Sequence, residues 1–311
     1  TAHAKVTSGL IDNARVSVDF STRGLHAASQ SWSLHAVGLD VHTVISGELG
    51  DIGTLTIQPY LLRINNEPAR PALFSDNSDH ALQWRITNFN YTGLGQGRSN
   101  IRVGHFEVPF GLEQVVQTNG TLYQMNSPAA LGLKADWGYS INGELPNLEY
   151  EFAFLRGSGN SWNTDANGYF AGRIGLPRQR AWWVAVSLLD GEMDTSTAPV
   201  KRFRWGVDAG ITLPRGIHAM IEHTAGNDAG SPQRHSLLEL GMTSRSEATT
   251  AYLQLRDSRR VQSNVTHGDR SSCLGIRLEP SDRWSASLEY QHQHDAAGKP
   301  GTFLAQLRLR T

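Results

Sequence analysis

A single cysteine, Cys273, stands in a chain of 311 residues, so no internal disulfide forms and no Cys-based metal or haem motif exists. Lysine is nearly as scarce. Lys5, Lys134, Lys201 and Lys299 are the only lysines among 28 basic residues, and the rest are arginine, whose planar fork suits carboxylate and phosphate. No stretch approaches the roughly 18 apolar residues that a membrane helix needs. That excludes a helical membrane protein and nothing more, because barrel strands alternate apolar and polar residues and average to a polar chain. The mean hydropathy is -0.37. A net charge of -1 leaves no electrostatic footprint for a nucleic-acid partner. The 12 histidines are scattered, with no His-Glu-x-x-His run, so neither a metal nor another cofactor is expected. No compact Ser-His-carboxylate group points to a hydrolase, and no enzyme activity is expected.

What the chain does have is period-2 alternation, repeated from end to end. Phe203, Trp205, Val207, Ala209, Ile211 and Leu213 fall on one face of a strand, opposite Arg202, Arg204, Gly206, Asp208, Gly210 and Thr212. Leu131 to Ile141, Ser285 to Gln291, Phe303 to Arg310 and Ala14 to Phe20 repeat the pattern. Several runs reach about ten residues, the length a tilted strand needs to cross a bilayer, whereas strands of soluble proteins average about five or six. Trp137, Phe203, Trp205, Ile211, Leu288 and Phe303 are therefore expected on a lipid-facing surface.

The punctuation alternates as well. Short turns are expected at Glu48–Gly53, Gly93–Ser99, Asn142–Asn147, Leu176–Arg180, Pro214–Gly216, Ser244–Ala248 and Pro280–Arg283. Longer polar loops are expected at Ser21–Ser31, Asn65–Asp79, Val108–Ala129, Gly157–Asn167, Asp190–Val200, Ala225–Arg234, Ser258–Ser271 and His294–Gly301. Short turns at one end and long loops at the other are the signature of an outer-membrane barrel. Together they predict an all-β fold, a transmembrane antiparallel β-barrel of about 16 strands over residues 1–311 as a single domain. Both termini lie on the periplasmic side. An outer-membrane location also requires that Thr1 follow a cleaved signal peptide.

One segment breaks the rhythm. Val103 to Glu113 leads into the longest loop. There Pro109 cannot donate to a strand ladder and Gly111 permits a sharp turn, so the strand is expected to end and the chain to fold back. The loop carries Leu112, Val115, Val116, Leu122, Tyr123 and Met125. So apolar a loop needs a wall to pack on, and the inside of a barrel supplies one. Glu107, Glu113, Gln114 and Gln117 are then left near the constriction.

The segment Gly104-His-Phe-Glu-Val-Pro-Phe-Gly-Leu-Glu113 resembles the G-Q-F-x-x-P-F-G-x-E segment of the phosphate-selective porin O/P family, and it stands at the same place ahead of the constricting loop. The resemblance implies a trimeric porin whose loop narrows the pore. The family clusters lysines at its constriction, and the loop 108–129 has none.

Arginines on inward-reading positions are Arg15, Arg85, Arg102, Arg173, Arg202, Arg204, Arg256, Arg277, Arg308 and Arg310. Closing the barrel is expected to bring Arg308 and Arg310 beside Arg15, with Arg85 and Arg102 on neighbouring strands. A positive wall facing Glu107 and Glu113 would set a transverse field and a lean towards anions. The alternative is that each arginine is ion-paired with an inward carboxylate such as Asp19, Asp40, Glu149, Glu151 or Asp208. The expected function is a passive outer-membrane porin for small hydrophilic solutes, embedded in lipid bilayer and lipopolysaccharide as a homotrimer or as a monomer. The rival is a barrel sheath that holds a periplasmic partner, such as a multihaem cytochrome, in an emptied lumen.

Overall fold

Period-2 alternation becomes a continuous wall. The computed structural model describes residues 14–27, 30–47, 50–65, 80–95, 98–116, 118, 121–161, 168–194, 198–262, 265–294 and 301–311. Among them sixteen strands form one closed barrel. They are β1 (Arg15–Ala27), β2 (Gln30–Gly47), β3 (Gly50–Asn65), β4 (His80–Leu94), β5 (Ser99–Glu107), β6 (Ala135–Leu145), β7 (Leu148–Leu155), β8 (Tyr169–Gly175), β9 (Trp182–Met193), β10 (Val200–Thr212), β11 (Ile217–Asp228), β12 (Ser231–Thr243), β13 (Thr249–Gln262), β14 (Val265–Ser281), β15 (Trp284–Gln293) and β16 (Thr302–Arg310). Each pairs antiparallel with its sequence neighbours, and β1 closes on β16, so the ring is complete.

The outer face is apolar as the alternation predicts. Trp205, Ile211, Leu288 and Phe303 are exposed large hydrophobics, which only lipid or another apolar surface would cover. Trp137 departs from the expectation. It lies half-buried, with its ring against His105 and Trp84 and its indole Nε1 donating to the Asn160 carbonyl at 3.2 Å.

Three of the expected long loops are strand instead. β1 and β2 run on until only residues 28 and 29 separate them, β11 and β12 until only Ala229 and Gly230 do, and β13 and β14 until only residues 263 and 264 do. Polar sequence on both faces reads as loop, yet the ladder continues beyond the apolar belt, where both faces are wet. Of the expected loop Asn65–Asp79, residues 66–79 lie outside the described part. The strand expected over Leu131 to Ile141 also starts late. Ser127–Leu131 is a short helix, α1, and β6 begins only at Ala135.

Candidate functional site

The loop after β5 enters the lumen at Gly111, whose φ of 63° and ψ of -158° belong to backbone that only glycine adopts readily. A Cβ there would lie 2.5 Å from Glu222 Oε2, so glycine is required twice over. The turn is fastened to the inner wall through its own backbone. Gly111 N donates to Ser187 Oγ on β9 at 3.0 Å, and Leu112 N to Glu222 Oε2 on β11 at 2.6 Å. Further along, the Tyr123 hydroxyl donates to Glu239 on β12, and its ring meets Tyr252 edge-on at 4.6 Å. Burial pushes the Tyr123 phenol above its ordinary range, which keeps it a proton donor. Gln124 O accepts from Gln254 Nε2 at 3.1 Å and Arg256 at 2.8 Å on β13. The loop is therefore folded inward against β9 to β13.

Its apolar side chains explain why it stays there. Phe106, Val108 and Phe110, with Ala130 and Leu131 of α1, pack on Leu155, Tyr169, Ala171, Leu189 and Met193 from the inner faces of β7 to β9. Leu112 and Met125 pack on Trp183 and Leu237, with Val115, Val116 and Tyr123 beside them. These inward positions are apolar because they meet protein rather than water. The sequence signal was present in Trp182 to Leu189 and Phe152 to Leu155, which are largely apolar on both faces. A strand that faces lipid on one side and a lumen on the other needs no such doubling unless the lumen is filled there.

Departure of the loop leaves a gap in the wall, since β5 pairs β4 only as far as Thr87 opposite His105. Asn160, after β7, covers the unpaired edge of β4. Its Oδ1 accepts from Trp84 N at 2.7 Å and its Nδ2 donates to Leu82 O at 2.8 Å, so one amide side chain makes the two hydrogen bonds of a strand neighbour.

On the side away from the docked loop, a polar cavity of about 480 Å³ remains. Among the described residues, the charged side chains lining it are Arg85, Arg102, Arg178, Arg308 and Arg310 against Asp40, Glu107 and Glu151. The loop contributes Gln114, Val115 and Val116 to its rim. Towards the short-turn end, two further polar spaces adjoin it, one sharing Arg308 and Arg310 and the other Arg102, Gln114 and Arg178.

The arginines are braced rather than loose. Arg308 Nε lies 2.9 and 2.8 Å from the two carboxylate oxygens of Asp19, and Arg85 NH1 lies 3.3 Å from the same group. The Arg85 guanidinium stacks 3.5 Å from the Tyr60 ring centroid. The Tyr60 hydroxyl oxygen in turn lies 2.8 Å from Asp19 and 2.7 Å from Asp40, so its single proton is shared between the two acids. Arg102 NH1 pairs with Glu151 at 3.0 Å, and Gln114 Nε2 donates to that carboxylate at 2.6 Å, tying loop to wall.

Several expected site residues sit elsewhere. Arg15 is exposed at the turn end of β1, opposite His42, while the β16 register sets Arg310 opposite Asp19 and Arg308 opposite Ser21. Arg15 is therefore no neighbour of Arg308, because the β1–β16 ladder stops at Asp19 opposite Arg310. Arg204 is fully buried. It pairs with Asp228 at 2.7 Å and donates to Ala130 O at 3.0 Å, so it holds the loop's return. Glu113 is also buried, at 1% exposure, and pairs with Lys134 at 2.8 Å. It accepts from Thr118 and from Met125 N at 3.2 Å, which makes it an internal brace of the loop rather than part of an acidic face. Glu107 does line the cavity, Pro109 ends the strand, and Gln117 lies outside the described residues. A sheath for a partner needs an emptied lumen, and the docked loop occupies this one.

No protein-family model matches the chain. No curated protein matches it either. Among solved structures, it is similar to OmpF of Salmonella typhi in complex with daunomycin, with a TM-score of 0.69 at 8% identity over 98% of this chain and 99% of that one. It is similar to an anion-selective porin from Comamonas acidovorans, with a TM-score of 0.60 at 12% identity over 96% and 98%. It is also similar to the trimer form of OmpT, an outer membrane protein of Vibrio cholerae, with a TM-score of 0.66 at 8% identity over 96% and 99%. At such identities the likeness is one of architecture, and the chain has the barrel fold of the outer-membrane porins.

Proposed function

We propose that the chain is a passive diffusion channel of the bacterial outer membrane for small hydrophilic solutes, with a preference for anions. The observation that carries this reading is the constriction itself. An inward loop narrows a closed barrel to a polar passage in which five arginines face three lining carboxylates, with Asp19 behind Arg85 and Arg308. The ion pairs of Arg85 and Arg308 with Asp19, of Arg102 with Glu151 and of Arg178 with Glu149 cancel much of that charge, so the preference is mild. It rests on the guanidinium groups standing at the surface of the passage with Asp19 behind them, which lowers the barrier to an anion electrostatically, without chemistry. Arginine here takes the place that lysine holds in the phosphate-selective O/P family, which the segment 104–113 resembles. The wall, apolar on its outer face, suits a homotrimer in lipid, an assembly supported by the fold shared with the trimer form of OmpT.

A planar-bilayer recording in a salt gradient tests the reading. The wild-type reversal potential is expected on the anion side. It should fade as salt rises, because the Debye length falls from about 10 Å at 0.1 M to about 3 Å at 1 M. Replacing Arg85, Arg102 and Arg308 together by Gln is expected to move it towards cations, most at low salt. A wild-type pore that prefers cations at low salt sinks the anion preference, and a folded barrel that carries no current sinks the channel.

A further inference from the structure

We infer that the passage carries a subsite for hydroxylated carboxylates, sugar acids of the gluconate kind, on the inner faces of β3 to β5. The inference rests on the channel reading and deepens it by naming a solute class.

The strand register lays the subsite out. Thr54 of β3 stands opposite Asn90 of β4, and Asn90 opposite Arg102 of β5, so a hydroxyl, an amide and a guanidinium share one rung of the wall. All three line the polar cavity. Neighbouring strands lie about 4.8 Å apart, so the row runs about 10 Å across the wall. One rung nearer the loop end, Thr56 stands opposite Asn88, and Asn88 opposite Gly104, which leaves the place above Arg102 without a side chain.

The row is oriented and still has hydrogen-bonding capacity. Asn100 Nδ2 donates to Asn142 Oδ1 at 3.2 Å, and Asn142 Nδ2 donates to Asn90 Oδ1 at 3.2 Å. This relay fixes the Asn90 amide and leaves its Nδ2 without an acceptor among the described residues. The Thr54 hydroxyl has no side-chain hydrogen bond among them either. Arg102 gives NH1 to Glu151 at 3.0 Å and keeps its Nε and NH2, with the side chain 25% exposed.

A chloride ion or a plain carboxylate uses only the guanidinium of such a row, and a neutral sugar only the amide and hydroxyl. A carboxylate followed by hydroxyls meets all three, because each hydroxyl both donates and accepts and the arginine fork takes the acid. Charge decides between carboxylate and phosphate. The five lining arginines are matched by Asp40, Glu107 and Glu151 in the lining and by Asp19 and Glu149 beside it. A passage so balanced takes one negative charge more readily than the roughly two of a phosphate monoester at neutral pH.

The full-length barrel is reconstituted in planar bilayers in potassium chloride, and the half-blocking concentrations of gluconate, acetate, glucose and glucose 6-phosphate on the ion current are compared. Gluconate is expected to block at a concentration about tenfold below each of the others. Thr54→Val with Asn90→Leu removes the hydroxyl and the amide without touching a charge, and is expected to bring gluconate and acetate within about twofold of each other. Thr54→Val alone is expected to narrow the gap about threefold, which keeps the test valid should the double variant fail to fold. Gluconate no stronger than acetate or glucose, stronger block by glucose 6-phosphate, or an undiminished gluconate advantage in a folded variant each overturns this inference and leaves the channel standing. A wild type that carries no current overturns the channel and the inference with it.

Discussion

Asp19 on the first strand and Arg308 on the last grip one another across the seam where the barrel closes, at 2.8 and 2.9 Å, with Arg85 reaching the same carboxylate from β4. One buried acid therefore serves two cations, one of them 66 and the other 289 residues away along the chain.

Asp19→Asn should leave Arg85 and Arg308 under-compensated. Removing one partner of a buried pair costs about 3 kcal/mol at the low end of the usual range. That end applies here because the seam borders an aqueous lumen. A lowered midpoint in urea unfolding from vesicles is expected, together with a reversal potential moved further towards anions. An unchanged potential would mean that these arginines do not set the field in the passage.

Glu222→Ala removes the acceptor for Leu112 N at the point where the loop turns inward. Leaving a buried N–H unpaired costs about 1–3 kcal/mol, enough to let the loop leave the wall part of the time. Single-channel traces should show higher and noisier conductance than wild type. Quiet traces of wild-type size would show that the apolar contacts of Phe110 and Leu112 hold the loop unaided.

Asn160→Ala should uncover the edge of β4 where β5 has turned away. The Trp84 amide, 2.7 Å from Asn160 Oδ1, is expected to exchange with deuterium faster than its neighbours in the variant and to be protected in wild type. Protection that survives the substitution would refute the bridging role.

Val207→Arg places a charge on the lipid-facing side of β10, with an expected cost of about 2–4 kcal/mol near the bilayer midplane. Its neighbour Asp208 faces the other way, buried 2.7 Å from Arg173. Folding yield into vesicles checks the facing. If Val207→Arg folded like wild type, the assignment of inside and outside on this strand would be inverted.

Much of the fold was legible in order and spacing. Alternation along Arg202 to Leu213 names both faces of β10, because a strand turns each successive side chain to the opposite side whatever its neighbours are. Pro109 and Gly111 announce the end of β5 and the inward turn through their own backbone limits. The extended hairpins at β1–β2, β11–β12 and β13–β14 were hidden, since a ladder above the apolar belt needs no hydrophobic face.

The site divides along the same line. Sequence by itself determined that a barrel forms, that its fifth strand releases an apolar loop and that the lumen is rich in arginine, because those properties reside in local backbone preference and residue type. Only tertiary structure decided which arginines act together. Arg308 lines the passage while Arg15 does not, because the register at the seam ends β16 short of it. Arg204 and Glu113 are spent inside the protein on Asp228 and Lys134, partners 24 and 21 residues away along the chain. Charge is legible in a residue's identity, but whether it is cancelled depends on what lies within a few ångströms, and that is a property of the closed ring.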